Sequence, residues 1–404
     1  MADISTDLCI VGGGPAGMIA GLLFARAGVK TVVLEKHRDF LRDFRGDTIH
    51  PSTLQLFHEL GLLDALLARD HVKVSVLHGR VAGRSVPVAD FRHLPVAAPY
   101  IALMPQWDFL DFVAQVAGRY PAFTLKRCTE AVDAIEQDGR VAGVRTADGD
   151  TVRASRLVIA ADGRGSTLRA RSGLPLETIG APMDVFWFRL PKSAEPENET
   201  VGVFEPGRIF VLIDRRDYWQ CAFVFAKGAA DRIRAAGIEA FRQRVAAVGP
   251  ETAAGAAAIT SWEDVKLLTV TVDRLTRWHK PGLLFIGDAA HAMSPIGGVG
   301  INLAIQDAVA AANILAGPMA AGEAVDPLLR NVQHRRMLPT RLTQSMQELI
   351  QNRVVAPLLA SGEADLHPPL VLDLLAKLPA LRRLPARAIG LGFRPEHVRS
   401  PEAC

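Results

Sequence analysis

The residues with the plainest chemistry lie near the start of the chain. Gly12-x-Gly14-x-x-Gly17 follows the apolar run Leu8-Cys9-Ile10-Val11 and opens a segment of helical character from Pro15 to Ala27. Glycines at that spacing allow a tight turn and let the backbone approach a pyrophosphate, whose charge then rests on the N-terminus of the following helix. Gly28 reads as the helix stop and Thr31-Val32-Val33-Leu34-Glu35 as a second strand, which makes a βαβ unit. Glu35, at the end of that strand, is placed to accept hydrogen bonds from both hydroxyls of an adenosine ribose. A carboxylate there repels a 2′-phosphate, so the site suits FAD or NAD and not NADP. Pro15, Ala16 and Lys36 complete this candidate cradle.

A second constellation separates FAD from NAD. Gly287-Asp288-Ala289-Ala290-His291 follows the buried-strand pattern Leu283-Leu284-Phe285-Ile286, and Pro295-Ile296-Gly297-Gly298-Val299-Gly300-Ile301-Asn302 comes after it. An Asp at the carboxyl end of a strand suits a polyol such as ribityl, because each carboxylate oxygen can accept from a hydroxyl. The glycine-rich loop then feeds a helix whose N–H groups and dipole stabilise the negative charge of a reduced flavin. A third motif, Asp162-Gly163-Arg164-Gly165-Ser166 with Arg169, follows the strand Leu157-Val158-Ile159-Ala160.

In this order and at these separations the three motifs resemble the group A flavoprotein monooxygenases, the para-hydroxybenzoate hydroxylase-like family, over about residues 5–355. The resemblance implies an α/β fold: a Rossmann-like FAD-binding domain (GR2 type), an inserted and mainly antiparallel β-sheet substrate domain, and C-terminal helices. Residues 1–73, 98–178 and 268–355 would wrap the cofactor, 74–97 and 179–267 would form the substrate sheet, and 356–404 a C-terminal helical segment. It also implies site roles. Arg45 matches the family arginine near the FAD pyrophosphate, Gln106 the glutamine on the sugar-phosphate portion, and Val132 the position that presents backbone to adenine. Asp162 would serve both FAD and the passing NAD(P)H; Asp288, Gly298, Gly300, Ile301 and Asn302 would hold the ribityl and flavin; the Pro295 carbonyl would face the flavin edge. The implied reaction uses NADH or NADPH as a transient donor and O2, and passes through a flavin C4a-hydroperoxide to hydroxylate a small phenolic or heteroaromatic molecule. No side chain is assigned as catalytic, and His291 reads as structural. The alternatives are a hydroxylase or reductase of a prenylated quinone or lipid, and a non-catalytic FAD-fold binding protein. A halogenase would carry a Trp-x-Trp-x-Ile-Pro stretch, which none of the five tryptophans lies in.

The substrate side is less sharply written. Trp187, Phe188, Phe210, Leu212 and Gln220 are the candidate substrate contacts, drawn from an aromatic β segment between Val185 and Phe225 that also holds Phe186, Phe204 and Trp219. Arg189, Asp214 and Arg216 are polar groups of the same segment, with surface exposure their default. Val203 stands where the family's phenol-ionising tyrosine is expected, and Tyr100, Tyr120 and Tyr218 have no evident counterpart, which argues against 4-hydroxybenzoate as substrate.

The elements that must position these residues are legible in outline. Helical spacing marks 51–67, 106–119, 237–247 and a long Ala-rich helix from Gly300, with Pro-broken helical segments beyond Asp326. Asp138-Gly139 and Asp148-Gly149 are hairpin turns of a β-meander over 130–160, and 265–272 reads as a further strand. The 404 residues carry 46 basic and 43 acidic side chains, a net charge of +3, which excludes a nucleic-acid partner; 37 of the basic residues are Arg, suited to anionic ligands. No stretch is read as reaching the roughly 18–20 apolar residues of a membrane span, and the short acidic N-terminus is not a signal peptide, so a cytoplasmic enzyme is expected. Cys9, Cys128, Cys221 and Cys404 are scattered without a CxxC pair, which argues against a metal site, a disulfide framework and a dithiol redox centre. A homodimer is left open.

Overall fold

The computed structural model describes residues 3–41, 48–81, 83–192, 200–205, 207–360 and 377–403. The βαβ unit forms as its sequence directs. Strand Asp3–Val11 runs parallel to Thr31–Leu34, and helix Pro15–Arg26 crosses between them. Its short and small residues (Ala16, Gly17, Ala20, Gly21) let it lie close on the sheet. A Cβ on Gly21 would stand 2.7 Å from Val33. Strand Thr151–Ala160 joins the other edge of Asp3–Val11 in parallel, followed by Leu283–Phe285, also in parallel. With Phe123–Lys126 beyond Thr31–Leu34, the sheet has a five-stranded parallel centre, extended by the antiparallel meander Ala131–Gln137 and Arg140–Thr146. Both faces of this centre are apolar because helices cover one and the meander the other.

A second, seven-stranded sheet runs Lys266–Leu268, Met183–Pro191, Tyr218–Ala226, Arg208–Asp214, Val201–Glu205, Val76–Val81, Arg84–Asp90. All of its pairings are antiparallel except Val201–Glu205 with Val76–Val81. Period-two alternation gives it two apolar faces. One carries Phe186, Phe188, Phe210, Leu212, Trp219, Phe223 and Phe225 under Phe241 of helix Ile238–Ala246. The other carries Val185, Trp187, Ile209, Val211, Ala222 and Val224 toward Ile296 and Val355. The expected strand over 265–272 is only Lys266–Leu268.

Two long helices close the structure, Gly300–Ala320 and Leu329–Ile350. Pro318 and Pro339 lie inside them and do not break them. By length and composition the span Ile296–Ala320 could cross a membrane, with mean hydropathy 1.4, so the reading that no stretch is long and apolar enough is corrected. The apolarity has another use here: 78% of that window is buried, much of it against helix Pro15–Arg26. Among the described residues, the expected C-terminal helical segment 356–404 holds helices Ala356–Ala360 and Arg383–Gly390, and none over 391–403. After helix Arg383–Gly390 the chain runs without regular secondary structure as a strap over the cofactor half of the fold. Asn313 binds the His397 carbonyl and the Arg399 amide, Glu59 accepts from Val398 N–H, and the Ala403 N–H donates to the Arg26 carbonyl at 2.8 Å.

Candidate functional site

The three sequence motifs meet at the carboxyl ends of the parallel strands, where an open α/β sheet binds its ligands. Gly12 has φ +107°, and a Cβ on it would stand 2.3 Å from the Ala161 carbonyl oxygen; the Ala161 N–H donates to the Val11 carbonyl at 2.7 Å. A Cβ on Gly17 would stand 1.9 Å from the Gly12 carbonyl oxygen. Gly14 differs, because a Cβ there would meet nothing within 4 Å. It faces open space at the N-terminus of helix Pro15–Arg26, which has no side-chain cap. Unbonded N–H groups at a helix start are a ready anion site. Buried Glu35 turns into the same turn. Its Oε2 accepts from the Gly13 N–H and its Oε1 from the His37 N–H, both at 3.0 Å, which fixes the carboxylate under the turn.

Gly287, with φ +59°, packs between Ala16 and Ala304, each methyl 3.1 Å from where its Cβ would be. Asp288 therefore stands beside the first motif. Arg164 of the third motif reaches its Oδ2 at 3.1 Å, while Arg169 bonds Asp273 at 3.0 Å and the Arg164 carbonyl. Asp162 takes the Thr167 N–H on Oδ2 at 3.0 Å, and its buried Oδ1 has no hydrogen-bond partner among the described residues. Burial raises the Asp162 pKa, against the pull of the surrounding donors. A buried oxygen of this kind calls for a hydrogen-bond donor from a ligand.

The loop Pro295–Gly298 is built for backbone contact. Gly297 and Gly298 have φ +76° and +62°, and a Cβ on Gly298 would stand 2.6 Å from Thr48 Oγ1. The Pro295 carbonyl accepts from the Gly298 N–H at 3.1 Å. Helix Gly300–Ala320 then opens without a side-chain cap, so the first-turn amides of Gly300, Ile301 and Asn302 are offered to a ligand. The Asn302 side chain is not: Nδ2 donates to the Thr48 carbonyl, and Oδ1 accepts from the His50 N–H and from Thr53 Oγ1. Gln106 opens helix Gln106–Ala117, half-buried, and Val132 lies half-buried in the meander. Lys36 is exposed and pairs at 3.8 Å with Glu130, away from the glycine turn. Arg45 lies outside the described residues.

The FAD binding domain model matches residues 5–345. The chain is 33% identical over 406 residues to 6-methylpretetramide 4-monooxygenase of Streptomyces rimosus, covering 98% of this chain and 94% of that protein. It is 31% identical over 332 residues to rifampicin monooxygenase of Rhodococcus hoagii, covering 75% of this chain and 62% of that longer protein. In fold it is similar to the crystal structure of PqsL, a probable FAD-dependent monooxygenase from Pseudomonas aeruginosa. That likeness has TM-score 0.75 at 23% identity over 87% of this chain and 96% of the other. The chain belongs to the FAD-binding-domain family. It is an FAD-dependent monooxygenase of the aromatic-hydroxylating group, with NAD(P)H and O2 as co-substrates.

Behind the cofactor cradle of this monooxygenase lies a buried chain of charge that the spacing of its residues does not reveal. Asp307 Oδ2 accepts from the Gly287 N–H at 3.1 Å and lies 2.6 Å from His291 Nε2; its Oδ1 accepts from Arg336 Nε at 2.9 Å. Arg336 Nη1 lies 3.4 Å from Glu396 of the strap, which Arg335 also holds, at 2.6 Å. His291 is thus committed to a carboxylate inside the protein. Helix Leu329–Ile350 supplies two further supports. Gln347 donates to the Ser294 and Ile296 carbonyls, both at 2.9 Å, and Gln344 to those of Asp273 and Ala292.

His50, fully buried, is a second group the sequence does not flag. Its Nδ1 lies 2.7 Å from the Ile389 carbonyl, so that nitrogen carries the proton and Nε2 is an acceptor. Burial pushes its pKa down to about 4, the backbone bond opposing. The folded pKa lies below the unfolded one, so this contribution to stability is complete above about pH 6.5 and is lost as the pH falls toward 4. Denaturant titrations at pH 7 and pH 4.5 should show a His50→Gln variant losing less stability between the two than the parent, by about 2–3 kcal/mol. Equal losses would remove His50 as a source of the acid sensitivity.

On the substrate side the structure separates the candidates by face. Trp187 and Gln220 lie on the sheet face turned toward the Pro295–Gly298 loop. Gln220 is buried, with its Oε1 held by Arg215 at 3.0 Å. Phe188, Phe210 and Leu212 lie on the opposite face, inside the aromatic cluster around Phe241, and are not brought to the site. Alternation explains the error: Trp187 and Phe188 are neighbours in sequence and so point to opposite faces. Arg189 instead stacks over Tyr218, and Asp214 pairs with Lys192. Val211, Ile296 and Ile389, which the sequence does not single out, are half-buried and share apolar clusters with Trp187.

Proposed function

We propose that this chain holds FAD on Gly12, Gly14, Ala16, Gly17, Glu35, Asp162 and Asp288, with the flavin against the first turn at Gly300–Asn302, and hydroxylates a small phenolic or heteroaromatic ring. The observation that carries the reading is the convergence of three motifs on a cradle in which Gly14 of the first faces unfilled space and Asp162 of the third has an orphaned carboxylate oxygen. The chemistry that FAD would supply there is the use of NAD(P)H electrons to put one atom of O2 into the ring and release the other as water. The chain's own part is positional. Trp187, Val211 and Ile296 offer a half-buried apolar wall that accepts a ring and keeps water out. Val203 is buried in the aromatic cluster, Tyr218 lies under Arg189, Tyr100 under Lys73, and Tyr120 meets Glu402 at the surface. No tyrosine among the described residues therefore reaches that wall, and the ring must bring its own electron density.

The test is NADH and NADPH oxidation by the FAD-loaded protein with phenol, naphthol and hydroxyanthraquinone as probes. The expected result is stimulation by at least one aromatic, with a product heavier by one oxygen atom. A protein that refuses FAD, or whose NAD(P)H oxidation responds only to a prenylated quinone, would displace this reading.

A further inference from the structure

The sheet and the flavin loop leave one side of the apolar wall to be closed by helix Arg383–Gly390, which lies beyond the residues the FAD binding domain model matches and carries none of the sequence motifs. Ile389 on this helix reaches the loop itself: a Cβ on Gly297 would lie 4.0 Å from Ile389 Cγ1. Ile389 and Leu391 pack with Trp187 and Val211 in a single apolar cluster together with buried Phe91 and Ala386. The end of the helix is fixed on both sides. The Ile389 carbonyl accepts from His50, whose N–H is held by Asn302 at the start of the flavin-side helix. Gly390 is pressed so closely on the strand-end segment that a Cβ would stand 2.8 Å from Leu94, 3.1 Å from Phe91 and 3.2 Å from Pro51.

Resting on the proposed function, we infer that Ile389 is a specificity-determining residue, the side chain that sets how large a fused ring system the site admits. Three features support this. Ile389 is half-buried, unlike its fully buried neighbour Ala386, so part of its surface faces space and not packed protein. It touches the loop that must lie along the flavin and the cluster that contains Trp187, so its side chain stands at the meeting of cofactor and ring wall. The helix that carries it is a partition and not part of a thick core. Its outer side borders a cleft of about 350 Å³ lined by Leu338, Leu342, Arg387, Leu391 and Phe393. A wall with open space behind it can be enlarged or trimmed without rebuilding the interior, and the size of one side chain on it controls the room in front.

The experiment measures dissociation constants for phenol, naphthol and hydroxyanthraquinone from the perturbation of the flavin spectrum, in the FAD-loaded parent and in Ile389→Trp and Ile389→Ala. The indole of Ile389→Trp should weaken hydroxyanthraquinone at least tenfold and leave phenol within about twofold. Ile389→Ala should shift the preference the other way, tightening the larger ring relative to phenol. Flavin content in each variant reports folding, and the alanine variant stands if the tryptophan variant does not assemble. If both retain FAD and the ratios among the three constants do not move, the assignment of Ile389 is overturned while the hydroxylase reading survives. If the parent binds none of the three, that reading falls and this inference with it.

Discussion

Replacing Arg336 with Met should cost this protein about 3–5 kcal/mol of stability, a large loss for a single substitution. Arg336 is 1% exposed and lies between Asp307 at 0% and Glu396 at 1%. Methionine fills much of the same volume, so packing is largely kept. What disappears is the one cation that lies between the two carboxylates. Asp307 would keep His291 and the Gly287 amide, and Glu396 would keep Arg335 at the edge and the exposed Arg399 at 4.0 Å. The second substitution Glu396→Gln, made on top of Arg336→Met, should restore part of the loss, because it removes one of the stranded charges. Chemical denaturation of the parent, the two single variants and the double variant gives the coupling directly. A strictly additive result would mean that the three groups do not act as a unit. The same network sets the acid side. Burial raises the Asp307 pKa, but His291 and Arg336 outweigh it, so the folded value lies below the ordinary one. Its contribution is therefore present above the usual carboxylate pKa and lost as the pH falls through the lowered folded value.

A pair of glycine substitutions should separate folding from cofactor binding. Gly17→Ala places a methyl 1.9 Å from the Gly12 carbonyl oxygen, a backbone atom that cannot swing aside. Helix and strand must move apart, so the apo protein should melt lower and FAD affinity should fall by well over tenfold. Gly14→Ala adds the same methyl to open space, with nothing within 4 Å. Its apo melting temperature should match the parent's, yet FAD should bind more weakly, because only a ligand occupies that space. Thermal melts without FAD, combined with flavin-fluorescence titrations, distinguish the two. If Gly14→Ala bound FAD as tightly as the parent, the pyrophosphate would not lie over this turn. If Gly17→Ala kept full stability, the close helix–strand contact would not matter to the fold.

What could be read from the sequence, and what could not, follows from the range of each signal. The glycine turn, the second strand and Glu35 lie within one βαβ unit, and their roles are dictated by local chain geometry. The Gly287-Asp288 turn and the loop at 295–302 are legible for the same reason. Trp187 against Phe188 shows where local reading stops. Both are aromatic strand residues, and only the placement of helix Ile238–Ala246 over one face decides which is core and which is wall. Helix Leu329–Ile350 goes further and inverts the usual pattern. Arg336, Thr340, Thr343, Gln344 and Gln347 are buried, whereas Leu338 and Leu349 are 54% and 59% exposed. Read by hydropathy, its polar face belongs in solvent. It faces inward because the backbone at 273 and 292–296 carries carbonyls that need partners, and Gln344 and Gln347 supply them.

The strap described above also bears on when the protein becomes competent. Arg26 Nη1 bonds the Ser400 carbonyl at 3.0 Å, joining positions 374 residues apart. Glu396 completes the ion chain behind the Gly287 turn, some 380 residues after the glycines that would cradle the pyrophosphate. Contacts of such separation form late, since a large loop must close before they can contribute. The first motif leaves the ribosome early, but the support of the second waits for the strap. Cofactor capture in this chain is thus expected to be a closing event of biogenesis, not an early nucleus around which the rest condenses.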